Sequence, residues 1–415
     1  MSKWIEGKLK DLVEVNPTVK LRKGEIYPFV SMDVIQPFYK PVEAKEEREF
    51  KSGGAKFENG DTLFARITPC LENGKIAQVK NLKNGKGFGS TEFIVLRGKE
   101  GITDTDFVYY LVTNKSFREN AERLMVGTSG RQRVDKQQFE NQIISIPDLE
   151  TQKRISSILG SIDKKIELNI EMNKTLEEMA MTLYKHWFVD FGPFQDGEFV
   201  ESELGMIPKG WYIKELNEFS TIQNGFAFKM EEYTESGVKI LRTLNITDKS
   251  YLHNEKLVYI PYESKDKYEK FNLEKYDVLL VMVGASIGKM GIVFEHNLPA
   301  LQNQNMWRFR PTLSYLHPAF IYFSLKEGLK ILRNSSTGSA REFFRKDVFG
   351  KLKYIIPPEN VGKEFKRIID PIWEQINNNL IQNVTLTQLR DYLLPRLLSG
   401  EIDLSQAEKQ VEEVL

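Results

Sequence analysis

Cysteine is almost missing from this chain: Cys70 stands alone, which excludes an internal disulfide and suits a reducing, cytoplasmic compartment. Histidine is nearly as scarce. The four present, His186, His253, His296 and His317, are scattered without Cys partners at ligand spacing, which argues against a zinc site. Neither charge is in excess, with 58 Lys+Arg against 58 Asp+Glu, so any nucleic-acid contact has to come from local basic loops and not from a global field. Long apolar runs are absent as well. The longest, Val278 to Ala285, is too short to span a bilayer, and the opening MSKWIEGKLKDL lacks the apolar core of a signal peptide, so no membrane partner is expected. What remains is a mixed composition, 41% hydrophobic and 28% charged over 415 residues, with room for two or three cores.

Catalytic signatures are missing too. Val283-Gly284-Ala285-Ser286-Ile287-Gly288-Lys289-Met290 has the look of a phosphate loop, but it is one residue short between its glycines and has Met290 where Ser or Thr would ligate magnesium. It reads as a Gly-rich turn after a buried strand, with Ser286 and Lys289 exposed for contacts. No Asn-Pro-Pro-Tyr adenine-flipping motif, dinucleotide glycine fingerprint or nucleophile elbow occurs, and no carboxylate pair is singled out by spacing.

What the chain does contain is a repeat. Ile155, Leu159, Ile162, Ile166, Asn169, Asn173, Leu176, Ala180, Leu183 and Trp187 are spaced alternately by four and three residues. An offset of 210 residues gives Phe365, Ile369, Ile372, Ile376, Asn379, Asn383, Leu386, Arg390, Leu393 and Leu397, the same seam with the same asparagine pair. Such spacing is what a left-handed helix pair requires, and a polar residue within it sets register at some cost in stability. Each copy therefore needs a partner helix, and the other copy is the evident one. Antiparallel pairing sets Asn169 against Asn383 and Asn173 against Asn379. The plainer alternative is that each amphipathic helix covers its own domain. Gly160-Ser161 and Asp370-Pro371 read as breaks, with Ser or Asp capping and Pro in a first turn, so long helices are expected to begin near residues 161 and 371.

The duplication reaches beyond the helices. Lys3-Trp4 parallels Gly210-Trp211, Phe57 to Phe64 parallels Leu273 to Leu280, Ser90 to Phe93 parallels Asn303 to Met306, and Asp106 to Leu111 parallels Ala319 to Ser324. Ile146-Pro147 and Ile356-Pro357 close the two units. The expected fold is α+β: two like domains at 1–148 and 210–358, helical regions at 149–190 and 359–399, a Gly/Pro-rich linker at 191–209 and an acidic tail at 400–415.

The loops with the most to offer a ligand lie at corresponding points of the repeats. One holds Thr128, Ser129, Arg131, Gln132 and Arg133; the other holds Ser339 and Arg341, with Arg345 and Lys346 following. Small hydroxylated residues with Gly let backbone approach a phosphate, while Arg and Gln reach base edges by paired hydrogen bonds. Such a loop alone is commonly a solvated turn. Its recurrence in both repeats of a chain without enzyme motifs points to nucleic acid. Arg66 and Thr68 in the first repeat, and Asn303, Gln304 and Asn305 in the second, are further candidates that equally suit buried strand ends.

Taken together, YKHWFVDFGPF (Tyr184 to Phe194), LLPRLLSGEI (Leu393 to Ile402), VMVGASIGKMGIV (Val281 to Val293), QNQNMWRF (Gln302 to Phe309) and STGSAR (Ser336 to Arg341) resemble the specificity (S) subunits of type I restriction-modification enzymes, over essentially the whole chain. The resemblance implies two target-recognition domains, each reading half of a split, asymmetric site on double-stranded DNA, separated by two antiparallel helices. It implies assembly with two methyltransferase (M) subunits that methylate adenine N6 and with restriction (R) subunits. S-adenosylmethionine, ATP and Mg2+ are then expected on those partners and no cofactor on this chain. One departure is Gly-Arg-Gln-Arg in the first repeat against Ala-Arg-Glu-Phe in the second, as two unlike half-sites would require. Among the aromatics closing the first helix, Trp187 and Phe188 are expected to contact an M subunit. The helix from Ser161 to Phe188, about 42 Å at roughly 1.5 Å per residue, is expected to set the spacer. A coiled-coil scaffold whose flanking domains bind proteins is the competing reading, and a self-sufficient enzyme the last.

Overall fold

A computed structural model describes residues 4–128, 130–247, 250–335 and 345–415. The chain forms two compact units, Met1–Glu167 with Thr385–Leu415, and Leu168–Val384. The division falls inside both long helices, so the helical regions belong half to one unit and half to the other and form no domain of their own.

Unit 1 is built on two sheets. In the larger, Val13–Val15, Phe93–Gly98, Thr62–Ala65, Ile76–Val79 and Pro41–Val42 lie in that order. All four residues of Thr62–Ala65 are buried, as a strand with a neighbour on each edge and cover on each face must be. The second sheet runs Glu46–Glu49, Ile26–Val30, Lys86–Gly89, Ala55–Glu58. The helix Thr105–Thr113 covers the larger sheet; Asp104 caps it by accepting from the Phe107 N–H at 2.9 Å.

Unit 2 repeats the plan. Ser220–Asn224, Met306–Pro311, Val278–Val281 and Met290–Ile292 form the larger sheet, and Val258–Ile260, Val238–Leu241 and Ala300–Gln302 the smaller. One bracing device occurs in both copies. Buried Asp61 accepts from the Glu58 N–H at 2.7 Å and, bidentately, from Arg97 at 2.6 and 2.8 Å. Asp277 accepts from the Glu274 N–H at 2.7 Å and from both forks of Arg310. Each pair locks the turn entering a central strand to the neighbouring strand with charge-assisted bonds.

The long helices run unbroken over Leu149–Phe188 and Glu359–Ser399, which corrects the expected breaks. Gly160 sits in mid-helix, where it meets the Tyr110 hydroxyl, and Ser161 bonds back to the Ile158 carbonyl at 2.7 Å instead of capping a new helix. Pro371 leaves one backbone bond unmade, and burial of Ile369, Trp373 and Ile376 around it holds the helix together. The helices are antiparallel: Asp163 meets Arg390 in unit 1, and in unit 2 Asn169 meets Asn383, Asn173 meets Asn379 and Phe188 meets Phe365. Asn169 donates to Asn383 Oδ1 at 2.9 Å and Asn379 donates to Asn173 Oδ1 at 2.7 Å. Ile162, Ile166, Leu386 and Leu393 are buried in the unit 1 seam and Ile376 in that of unit 2, where Leu176, Leu183 and Ile372 are half-buried.

Two segments carry more structure than their composition suggests. The linker folds into a hairpin, Phe199–Ser202 against Gly205–Pro208, and the tail into a helix, Leu404–Glu412. That helix buries Ala407 and Val411 and ties Glu408 to Arg154 at 2.9 Å, so it is a packed part of unit 1 and not a frayed end.

Candidate nucleic-acid interface

The loop of unit 1 is the tip of a hairpin, Met125–Val126 paired with Arg133–Val134, docked on the end of the central strand. Two backbone bonds hold it there, Thr68 N–H to the Gln132 carbonyl at 3.0 Å and Val134 N–H to the Arg66 carbonyl at 2.8 Å, and Arg66 N–H in turn bonds the Glu92 carbonyl at 2.9 Å. Gly127, at φ 125°, turns the chain where a Cβ would press on the Arg131 carbonyl, so the tip needs glycine there. Thr128 and Arg131 are exposed on this tip and Gln132 is half-buried; Ser129 lies outside the described residues.

Several candidates have structural duties instead. Thr68 accepts from the Gln132 N–H at 3.0 Å and is buried, so it positions the loop. Arg66 donates to the Val134 carbonyl at 2.9 Å. Arg133 is clamped by Glu92, with Nε to both carboxylate oxygens at 2.9 and 3.0 Å and Nη2 to Oε1 at 2.8 Å. This pairing raises the Arg133 pKa, the Glu92 hydrogen bond being the larger cause. The Arg133 guanidinium fork is therefore already filled by a carboxylate, whereas Arg131 is exposed.

Unit 2 has the same framework with other side chains. Met282 N–H donates to the Asn305 carbonyl at 3.1 Å, as Arg66 does to Glu92, so Asn305 stands where unit 1 has Glu92 and Met282 where it has Arg66. Gln304 and Asn305 are exposed. Asn303 is half-buried beside Gly225, where a Cβ would collide with the Asn303 carbonyl; glycine permits this close approach of two backbones. Ser286 and Lys289 sit in a turn closed by Gly288 N–H to the Val281 carbonyl at 2.8 Å, and both are half-buried, not exposed. Lys289 lines a cleft of about 260 Å³ with Lys326, Lys330, Thr247 and Ser250. Arg345 pairs with Asp347 at 3.0 Å, and Lys346 is exposed at the start of the short helix Lys346–Phe349. Ser339 and Arg341 lie outside the described residues.

Two residues escaped the sequence reading. Glu92 selects which arginine of its loop is available, and the signal was its place opposite Asn305 in the repeat. Lys75 is the counterpart of Lys289, since Ala65 N–H reaches the Lys75 carbonyl at 3.2 Å and Val281 N–H the Lys289 carbonyl at 2.9 Å; its ammonium bonds the Met32 carbonyl at 2.8 Å.

Phe188 is buried within unit 2, which corrects its assignment to a partner contact, while Trp187 packs on the same cluster and is half-buried. Phe188 is 5% exposed, with Phe365 at 4.7 Å, Phe320 at 4.9 Å and Trp211 at 5.9 Å between ring centroids. Trp187 lies against Phe194 and Phe365 at 5.9 and 6.0 Å. The linker returns Phe194 and Trp211 to the helix end and covers its rings. Apolar exposure on that helix lies elsewhere, at Leu168, Met172 and Met179, which are 46, 44 and 53% exposed.

Among the described residues, no group of three or more His, Cys, Asp or Glu is arranged to hold a metal, and no helix is long and apolar enough to cross a membrane. Two copies of one mixed fold, each with half of a helix pair, define a tandem-domain protein. A family model described as Type I restriction modification DNA specificity domain matches residues 1–178 and again 208–386, and the chain belongs to that family. It is similar to the type I restriction enzyme MjaIX specificity subunit of Methanocaldococcus jannaschii, 26% identical over 428 residues that cover 96% of this chain and 93% of the relative. The HindI specificity subunit of Haemophilus influenzae is 26% identical over 475 residues, covering 97% and 100%. In fold it is similar to the crystal structure of the S subunit of a type I restriction-modification system from M. genitalium, with a TM-score of 0.53 at 16% identity and 96% of each chain covered.

Proposed function

We propose that this chain is the sequence-reading, non-catalytic subunit of a type I restriction-modification assembly, each recognition domain taking one half of a bipartite, asymmetric DNA site. The observation that carries this reading is that one framework presents different donors at equivalent edges: Glu92 holding Arg133 with Arg131 exposed in unit 1, Gln304 and Asn305 exposed in unit 2. Arginine suits guanine and asparagine or glutamine suits adenine in the major groove. Reaction chemistry, with S-adenosylmethionine, ATP and Mg2+, belongs to the M and R subunits. Methylome sequencing of the host with and without this chain tests the reading. One bipartite motif should vanish with the chain. Arg131→Ala should relax one half of it, by about 1 to 3 kcal/mol if the contact is to a base, and Arg341→Ala the other half. A methylome unchanged by loss of the chain would refute the reading.

The helix pair sets the spacer and seats two M subunits in this proposal. Helices of 40 and 41 residues measure about 60 Å at roughly 1.5 Å per residue, longer than one DNA turn of about 34 Å. Seven residues added to each helix keep the seam and lengthen it by about 10 Å, so the preferred spacer should grow by roughly 3 base pairs with both half-sites unchanged. DNA bending can reduce the increase, and an active variant demanding the original spacer would sink the ruler. The exposed Leu168, Met172 and Met179 are the better seat for an M subunit than the buried aromatic cluster. Met172→Glu with Met179→Glu should abolish M binding while the chain's own melting curve is unchanged; M binding at full strength would refute the seat.

A further inference from the structure

The asparagine pairs set the register of the helix seam, but they do not determine which helices pair. Under the 210-residue repeat Asn169 and Asn173 correspond to Asn379 and Asn383. If the central helix of one chain paired antiparallel with the same helix of a second copy, Asn169 of one would face Asn173 of the other, and the amide bonds would form as before. The same holds for two C-terminal helices. By the asparagines alone, two copies could exchange helices and place two identical recognition domains on one helix pair.

A second seam level breaks this equivalence. In unit 1 Asp163 faces Arg390, with Nη1 donating to Oδ1 at 2.9 Å and the two side chains 8% and 11% exposed. Under the repeat, Asp163 corresponds to Trp373 and Arg390 to Ala180. Unit 2 thus has at the equivalent level a large ring and a small methyl, both buried in one core cluster. Each arrangement is complementary, one by charge and the other by volume. Crossing them is not. Two central helices would set Asp163 against Ala180 twice, leaving each buried carboxylate with the Tyr110 hydroxyl at 2.7 Å and no cation. Two C-terminal helices would set Trp373 against Arg390 twice, with both guanidinium groups deprived of Asp163.

We infer that the Asp163–Arg390 pair, set against Ala180–Trp373, is a partner-selecting device that excludes a second copy of this chain from the helix seam. Penalising the wrong pairing is a recognised route to specificity alongside strengthening the right one, and a buried polar group can supply it. The consequence for recognition rests on the proposed reading of two unlike half-sites: the device keeps both domains in one molecule, so the target stays asymmetric. The selection itself does not depend on DNA and is measured without it.

Two full-length chains with different affinity tags, unfolded together and refolded at high concentration, test the inference through the amount of doubly tagged species. The wild type should give only singly tagged monomers. Asp163→Ala with Arg390→Ala removes the penalty from both wrong pairings and should raise the mixed species by about tenfold or more. Asp163→Asn with Arg390→Gln keeps the side-chain size, removes both charges, and should mix likewise even where the alanine pair folds poorly. Asp163→Arg with Arg390→Asp restores opposite charges in the right pairing and should stay unmixed. Wild-type chains that mix as freely as the neutral variants, or a folded neutral variant as unmixed as the wild type, would overturn the inference.

Discussion

Where the helix Thr105–Thr113 of unit 1 meets the helix pair, Tyr110 donates to Asp163, which also accepts from Arg390; on the corresponding helix of unit 2, Tyr322, the repeat partner of Tyr109, lies 6.3 Å from the ring of Trp373 and donates to Glu177 at 3.0 Å. The first junction is a chain of charged and hydroxyl groups that includes Lys40 at 3.4 Å from the Tyr110 hydroxyl. The second is mainly area, since Trp373 also packs against Tyr276 and His317 at 5.2 and 5.0 Å. Equal folds can therefore be fastened by different physics. A polar junction holds only while every member is satisfied, whereas an apolar one loses stability in proportion to what is cut away.

The largest expected effects separate these two mechanisms. Arg390→Ala leaves a buried carboxylate without its cation and should cost about 3 to 5 kcal/mol, and Trp373→Ala should cost a similar amount, about 3 to 5 kcal/mol, by opening a cavity. Second substitutions distinguish them. Replacing Asp163, Arg390 and Tyr110 together by Leu, Met and Phe removes the whole polar set and should restore most of the loss, because a well-packed apolar trio needs no desolvation of charge. Denaturant unfolding measures this; a triple variant as unstable as Arg390→Ala would mean that the charges themselves hold unit 1. Trp187→Ala with Phe188→Ala should likewise destabilise unit 2 by several kcal/mol, about 3 or more, given the rings Phe188 touches. Unaltered stability in that variant would contradict the packing described.

A pH effect of intermediate size is confined to unit 2. His317 is 2% exposed, and burial, with Lys366 adding to it, pushes its pKa down from the usual 6.5 to about 3. Its Nδ1 accepts from the Ala319 N–H at 3.0 Å, capping the helix Pro318–Ser335, which leaves the Nε2 proton for Asp370 Oδ1 at 3.2 Å. The lowered direction prevails over the nearby Asp370 carboxylate because protonation would destroy the Nδ1 cap. The unfolded state takes up a proton as pH falls through 6.5 and the folded state does so only near 3, so stability is present above 6.5 and is lost on acidification. The slope contributed is at most about 1.4 kcal/mol per pH unit. His317→Asn keeps a capping side chain and should flatten unfolding free energy against pH in this window. An unchanged slope would remove His317 as its source.

The smallest effect is expected at the level the units share through their repeat. Asn169→Leu with Asn383→Leu should raise the unfolding free energy slightly, by about 1 kcal/mol, and with it the denaturant midpoint, because a polar seam pair sets register at a cost in stability. A lower midpoint would mean that the amides contribute net stability as well.

Much of this molecule was readable before any coordinates. The 3.5-residue spacing and the repeated asparagines were sufficient for two paired helices; their antiparallel sense was implied by the family resemblance alone, and the Asn169–Asn383 and Asn173–Asn379 bonds bear it out. Parallel segments such as Phe57 to Phe64 and Leu273 to Leu280 were sufficient for two like α+β domains. Helix continuity through Gly160 and Pro371 was not readable, since local propensity there opposes a helix and only packing overrides it, of Ile158, Leu159 and Ile162 beside Gly160 and of Ile369, Trp373 and Ile376 around Pro371. The burial of Phe188 depended on a linker that returns Phe194 and Trp211 to the helix end, a contact between residues distant in sequence. The split between Arg131 and Arg133 was likewise a tertiary outcome: nothing in Gly-Arg-Gln-Arg marks one as bound, and the carboxylate that binds it, Glu92, comes from 41 residues away. Periodicity is a local property of the chain and survives in the sequence. Which polar groups satisfy one another is settled only when the strands and loops that carry them are brought to the same place.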